Sequence, residues 1–206
     1  ERIIEFMVNF GKKLMLETIV DGVGNVSIKK PATKGFENKK TVVMQSHLDM
    51  VHQKNSEIVF NFETQGINMF IDGDWVTADG TTLGADNGLE VAAIMAILSS
   101  VTIEHPTIEA LFTIDEETAM TGAMGLKGGL LSGEILLNLD TEEDDEIDMG
   151  CAGGIDVTAN RNYQEETTPT DKLAFKIAIR GLQGGHSGMD IHKEFGNANK
   201  IMNRLL

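Results

Sequence analysis

Cysteine occurs once in this 206-residue sequence, at Cys151, so no internal disulfide can form and a reducing, cytoplasmic compartment is expected. Basic residues are also scarce. Only 17 Lys and Arg stand against 32 Asp and Glu, a formal net charge of -15, with no cluster of cations to meet a phosphate backbone or an anionic membrane surface. Neither a nucleic-acid partner nor a membrane partner is expected, and cations are the natural guests. No run of about 18 apolar residues exists, so no helical membrane span is expected. Internal repeats are absent, and the one biased stretch is the short acidic run from Glu142 to Asp148.

What remains is globular material, with 41% hydrophobic and 24% charged residues, long enough to bury a substantial core. Both ends fall in helical patterns: Ile3, Met7, Phe10 and Leu14 at one, Asn197 to Leu206 at the other. The sequence is therefore expected to be a piece of a longer chain. Gly22-Val23-Gly24-Asn25 marks a turn into a strand from Val26 to Lys29, followed by a polar loop from Pro31 to Lys40. Three apolar runs of strand length follow, Thr41 to Gln45, Glu109 to Ile114 and Glu134 to Leu139. A buried helix is expected from Asn87 to Ser100. Alternating strand and helix predicts an α/β fold with a mostly parallel sheet flanked by helices. Asp72-Gly73 between apolar residues predicts a hairpin near the sheet edge. Past Gly154 the character changes, with strands expected at Ile155 to Tyr163 and Leu173 to Ile179. Residues 1–153 are read as part of one domain and 154–206 as the start of a second, α+β one.

In an open α/β sheet, ligands gather at the carboxyl ends of the strands. The unusual residues of this sequence fall there. His47 and Asp49 follow the first core strand, Asp86 precedes the buried helix, Asp115-Glu116-Glu117 end the second strand, and Asp140 ends the third. Any one of these is more often a structural histidine or a solvated acid. Their convergence on one rim is different, because crowded carboxylates raise one another's pKa unless a cation neutralises them. Nitrogen and oxygen donors without thiolate suit zinc, manganese or cobalt. An Asp able to bridge, with ligands on both sides, suits two ions about 3.5–4 Å apart. His-x-Asp also fits an arrangement in which the carboxylate accepts the imidazole's second N–H and sets its tautomer.

The strings Ser46-His47-Leu48-Asp49-Met50-Val51, Thr81-Thr82-Leu83-Gly84-Ala85-Asp86-Asn87-Gly88, Thr113-Ile114-Asp115-Glu116-Glu117-Thr118 and Leu137-Asn138-Leu139-Asp140-Thr141 resemble the metal-site motifs of the aminoacylase and carboxypeptidase superfamily, in its Xaa-His dipeptidase branch. The resemblance runs over essentially the whole chain and implies a di-zinc peptidase catalytic domain followed by the beginning of a lid domain. It implies that His47 binds one ion with Asp49 behind it, that Asp86 bridges two, and that Glu117 and Asp140 are terminal ligands on different ions. Glu116 is then the general base acting on water. The bond between Asp86 and Asn87 is expected to be cis. Gly184-Gly185-His186-Ser187-Gly188 resembles the lid signature, with His186 polarising the scissile carbonyl, in many relatives across a homodimer. The family's last ligand, a histidine, lies beyond these residues, so the 206 residues alone are expected to be inactive. The implied substrates are small peptides, Xaa-His dipeptides among them. Ser46 stands where glycine is commoner. His105 and His192 are read as structural.

Rival readings differ in class. An EF-hand starting at Asp140 fails, because Asp145 sits where glycine is needed and Cys151 where the closing glutamate belongs. The glycines at 125–129 and 150–154 match neither a P-loop nor a dinucleotide turn. A deacylase or tripeptidase of the same superfamily would share every ligand. Gly150-Cys151-Ala152-Gly153-Gly154 and the long spacing from Asp49 to Asp86 favour the dipeptidase branch. A non-catalytic paralogue would have little reason to keep both Glu116 and Glu117.

Overall fold

The computed structural model describes residues 2–141, 145–150, 153, 155, 157–185 and 190–205, which fall into two compact units, Glu1–Met149 and Gly150–Leu206. In the first unit the elements run α1 (Arg2–Lys13), β1 (Glu17–Val20), β2 (Val26–Lys30), β3 (Val42–His47), β4 (Met69–Asp72), β5 (Trp75–Ala78), α2 (Ala85–Ser99), β6 (Ile108–Thr113), α3 (Thr121–Gly125) and β7 (Ile135–Asn138). The second unit contains a short 3-10 turn (Ile191–Lys193) and α4 (Ala198–Leu205).

Five strands form one sheet in the order β1-β2-β6-β3-β7. β6 and β7 both run parallel to β3, whereas β2 is antiparallel to β1 and to β6, so β2 alone runs against the others. The expected mostly parallel sheet is therefore present. Its parallel half follows from the chain order, since β3 returns to β6 only after α2, a crossover that parallel neighbours require. β6 then passes beyond β3 through α3 to reach β7. Neighbours thus lie on both sides of β3, and the chain reverses its direction of winding there, the position at which such sheets open a crevice at their carboxyl ends.

One face of the sheet makes the core. Val26, Ile28, Met44, Ile108, Ala110 and Phe112 are buried there together with Met7 from α1 and Ile94 and Leu98 from α2. Removing a side chain such as Phe112 from water contributes roughly 1.5–3 kcal/mol. Two expectations need adjustment. On α1 the inward stripe uses Ile4 beside Met7, while Ile3 is exposed. On α2 only Asn87, Ile94 and Leu98 are fully buried and Leu89 is exposed, so the helix packs by one stripe and is not enclosed all round.

The expected hairpin is present, but β4 and β5 form a two-stranded sheet of their own, with no pairing to the main one. The strands expected at 155–163 and 173–179 are not formed among the described residues. Ile155, Val157, Leu173 and Phe175 are all exposed there. Apolar alternation makes a strand only where a neighbour supplies its ladder of hydrogen bonds, and these segments pair with nothing described.

At the end of the sheet opposite the crevice, Glu109 closes the entry to β7. Its carboxylate is buried and accepts from the Ser132 hydroxyl (2.6 Å) and amide (2.8 Å), the Gly133 amide (3.0 Å) and Lys29 Nζ (3.0 Å). Burial pushes this carboxyl upward, but the bonds from Ser132, Lys29 and Gly133 outweigh it and hold the group at about 2 instead of 4.5. A folded-state pKa below the unfolded one adds stability that is complete above the unfolded value and is lost as pH falls toward the folded value. Glu109→Gln is expected to cost roughly 1–3 kcal/mol at neutral pH. Denaturant titrations from pH 7 to pH 3 should show the wild type losing more stability below pH 4.5 than the variant.

Candidate metal centre

His47 is the last residue of β3, and its side chain is only 1% exposed. Its Nδ1 lies 3.0 Å from the Asp49 backbone oxygen and 3.4 Å from Asp49 Oδ1. Both are acceptors, so an Nδ1–H can donate to Asp49, a tautomer that turns an Nε2 lone pair toward the crevice. Around Nε2 stand Asp86 Oδ1 at 3.1 Å, Asp140 Oδ2 at 3.7 Å and Glu116 Oε2 at 4.0 Å. A lone pair ringed by carboxylate oxygens is repulsive unless a proton or a metal cation lies between them.

The titrating groups register that repulsion. Burial and then the Asp140 charge act in opposite senses on His47, and together with Asp49, Asp86 and Glu116 the acids win and raise the imidazole. Glu116 is pushed up by burial and by its neighbours Asp140, Glu117 and Asp49, against the pull of His47. Glu117 is pushed up by burial and then by Asp86. Two sets of donors are close enough to hold an ion: His47, Asp86 and Glu117, and His47, Glu116 and Asp140, each with one atom per residue and all within 4.8 Å of one another. Glu117 and Asp140 thus belong to different donor sets that share the imidazole. Neutral imidazole with carboxylates and no thiolate fits a divalent ion of the zinc, manganese or cobalt kind.

Each acid is delivered by its own device. Asp86 lies at the start of α2, and its bond to Asn87 is cis, as expected. Gly84, two residues earlier, has φ +78°, a left-handed conformation that favours glycine, and a Cβ there would meet the flexible end of Met50 at Sδ, 2.7 Å away. Asp49, besides facing His47, accepts from the backbone amides of Glu116 and Glu117 through Oδ1 and Oδ2, each at 3.0 Å. One carboxylate therefore orients the imidazole and holds the loop that presents two more.

Two residues passed over in the sequence complete the frame. Asn25, fully buried, donates to Asp21 (2.7 Å) and to the Gly122 carbonyl (2.9 Å) and accepts from the Ile114 amide (3.3 Å). It ties the turn before β2 to the loop after β6. Asn87 joins His47 to Asp140, accepting from the first residue's amide and donating to the second's carboxylate. Both could have been suspected only as asparagines beside turns, a weak signal. His105 is buried away from the site against Thr33 and Pro106, in keeping with its structural reading. His186 lies outside the described residues.

The chain is 48% identical over all 206 residues to the cytosol non-specific dipeptidase of Escherichia coli strain K12, covering 42% of that protein. In structure it is similar to the aminoacylhistidine dipeptidase of Vibrio alginolyticus, with a TM-score of 0.74 and 46% identity, over 100% of this chain and 42% of that one. It is also similar to the aminopeptidase PepT of Bacillus cereus, with a TM-score of 0.56 and 26% identity over 68% of this chain and 37% of that one. No family model matches the chain. Fold and relatives together define the class, an α/β peptidase-type unit with an acidic rim at the carboxyl ends of its strands. Within that class the chain is similar along its whole length to the cytosol non-specific dipeptidase and the aminoacylhistidine dipeptidase, and it spans 42% of the length of those two relatives.

The Asn25 frame gives a direct test. A Cβ at Gly122 would lie 2.4 Å from Asn25 Oδ1 and 2.6 Å from the Ile114 carbonyl, which is backbone and cannot yield cheaply. Gly122→Ala is expected to destabilise by roughly 1–3 kcal/mol, the usual scale of overpacking. Thermal melts of the two proteins, with Gly128→Ala as an open-space control, measure it.

Proposed function

We propose that the protein to which this chain belongs hydrolyses unblocked dipeptides, Xaa-His among them, at a site holding two divalent ions, zinc in the first instance. The observation that carries this reading is the buried His47 Nε2 faced by Asp86, Glu116 and Asp140, with Glu117 beside Asp86. The names of the relatives, a non-specific dipeptidase and an aminoacylhistidine dipeptidase, agree with it. Small peptides are the proposed substrates.

His47, Asp86, Glu117 and Asp140 are the residues that would hold the ions. Such ions, when bound, polarise the peptide carbonyl and lower the pKa of water. Glu116 accepts the proton released as water attacks that carbonyl and delivers it to the departing amine. Asp49 keeps the imidazole proton on Nδ1 and keeps Glu116 and Glu117 at their post through two backbone bonds. His186 is proposed, on the sequence resemblance alone, to stabilise the oxyanion. Residues 154–206 are proposed as the start of a lid domain through which the whole protein forms a homodimer. A cytoplasmic location is proposed from the single cysteine and from the word cytosol in the relative's name. No described helix is long and apolar enough to cross a membrane.

Full-length protein should turn over a panel of free dipeptides and lose that activity on chelation. Activity confined to N-acylated substrates, or turnover indifferent to chelator, would contradict the reading. Glu116→Gln should lower kcat by at least about 100-fold, the scale of general-base catalysis, while metal content measured by atomic emission stays near that of the wild type. Asp86→Ala should lose metal.

A further inference from the structure

Asn87 is 1% exposed, directly follows Asp86, and uses both ends of its amide. Its Oδ1 accepts from the His47 backbone amide at 3.1 Å, and its Nδ2 donates to Asp140 Oδ1 at 3.0 Å. The assignment of oxygen and nitrogen is fixed by the partners, since a backbone N–H can only donate and a carboxylate can only accept. Three elements meet at this one side chain: the end of β3, the start of α2 and the residue beyond β7.

We infer that Asn87 is a positioning residue for metal binding, orienting His47 and Asp140 as ligands while the adjoining Asp86 supplies a third. The inference rests on the metal-centre reading above. With Asp140 Oδ1 engaged by the amide, Oδ2 is the oxygen turned to His47 Nε2, 3.7 Å away, so the carboxylate is presented to an ion through one defined oxygen. The bond to the His47 amide fixes the register of the strand end, and with it the height of the imidazole above the sheet. A charged side chain of the same shape cannot do this. In Asn87→Asp the acceptor toward His47 survives, but the donor toward Asp140 becomes a second anion facing it. Partners of this kind, one bond removed from an ion, typically change metal affinity by about 10–100-fold when altered.

The test is metal affinity of the full-length protein, measured by competition with a chromophoric chelator for zinc and for cobalt, alongside the melting temperature of the metal-free forms. Asn87→Asp and Asn87→Ala should each weaken binding of at least one ion by about tenfold or more, and the cobalt absorption bands should shift as the coordination geometry changes. Asn87→Asp keeps the shape of the side chain and so remains informative if Asn87→Ala does not fold. Wild-type affinity and cobalt spectrum in the variants, even with a lowered melting temperature, would reduce Asn87 to a structural residue and overturn the inference. Wild-type protein that binds neither metal would overturn it together with the metal centre. Absence of dipeptide turnover in a wild type that binds metal normally would count against the proposed substrate only, because the affinity comparison does not use turnover.

Discussion

Repulsion among carboxylates gathered about one buried imidazole is the constraint to which the first unit is built. Asp86, Glu116 and Asp140 come within 4.0 Å of His47 Nε2 from separate parts of the chain, and Glu117 stands next to Asp86. Left to themselves these groups would spread into water or take up protons, as the upward pull on Glu116 and Glu117 shows. The fold must hold them close against that tendency, and a bound cation reverses its sign, turning the mutual repulsion into a shared attraction.

Backbone and neutral amides do the holding. Asp49 grips the amides of Glu116 and Glu117, Asn25 grips the loop on either side of them, and Asn87 spans His47 and Asp140. None of these contacts relies on a basic side chain near the rim, which would compete with a metal for the same oxygens. Lys29, the cation paired with a buried acid, is used at the far end of the sheet with Glu109. The division follows from the direction of the strands. Carboxyl ends carry the candidate metal centre, and the opposite ends carry the Lys29–Glu109 ion pair.

Much of this was legible in the sequence because strand ends are. An apolar run that terminates in His47 or in Asp115-Glu116-Glu117 announces both the strand and the rim, and the crossover through α2 forces the two strands parallel. Other parts could not be read. β1 is four residues with mostly exposed side chains, and α3 is five residues with two glycines; each exists only because a partner holds it, β2 in the first case and the Asn25 frame in the second. The apolar segments at 155–163 and 173–179 look like strands locally but have no described neighbour to pair with. Asn87 was legible as the start of the buried helix, but its two partners, 40 and 53 positions away, come to its two ends only in the fold.

Anomalous diffraction from crystals of the full-length protein grown with zinc, recorded on both sides of the zinc absorption edge, tests the central claim most directly. The account predicts two peaks about 3.5–4 Å apart, as in other two-metal sites, flanking Asp86, with His47, Glu117 and Asp140 in contact and Glu116 outside the ligand shell. Peaks elsewhere, or no peak beside His47 with the protein saturated in zinc, would contradict it.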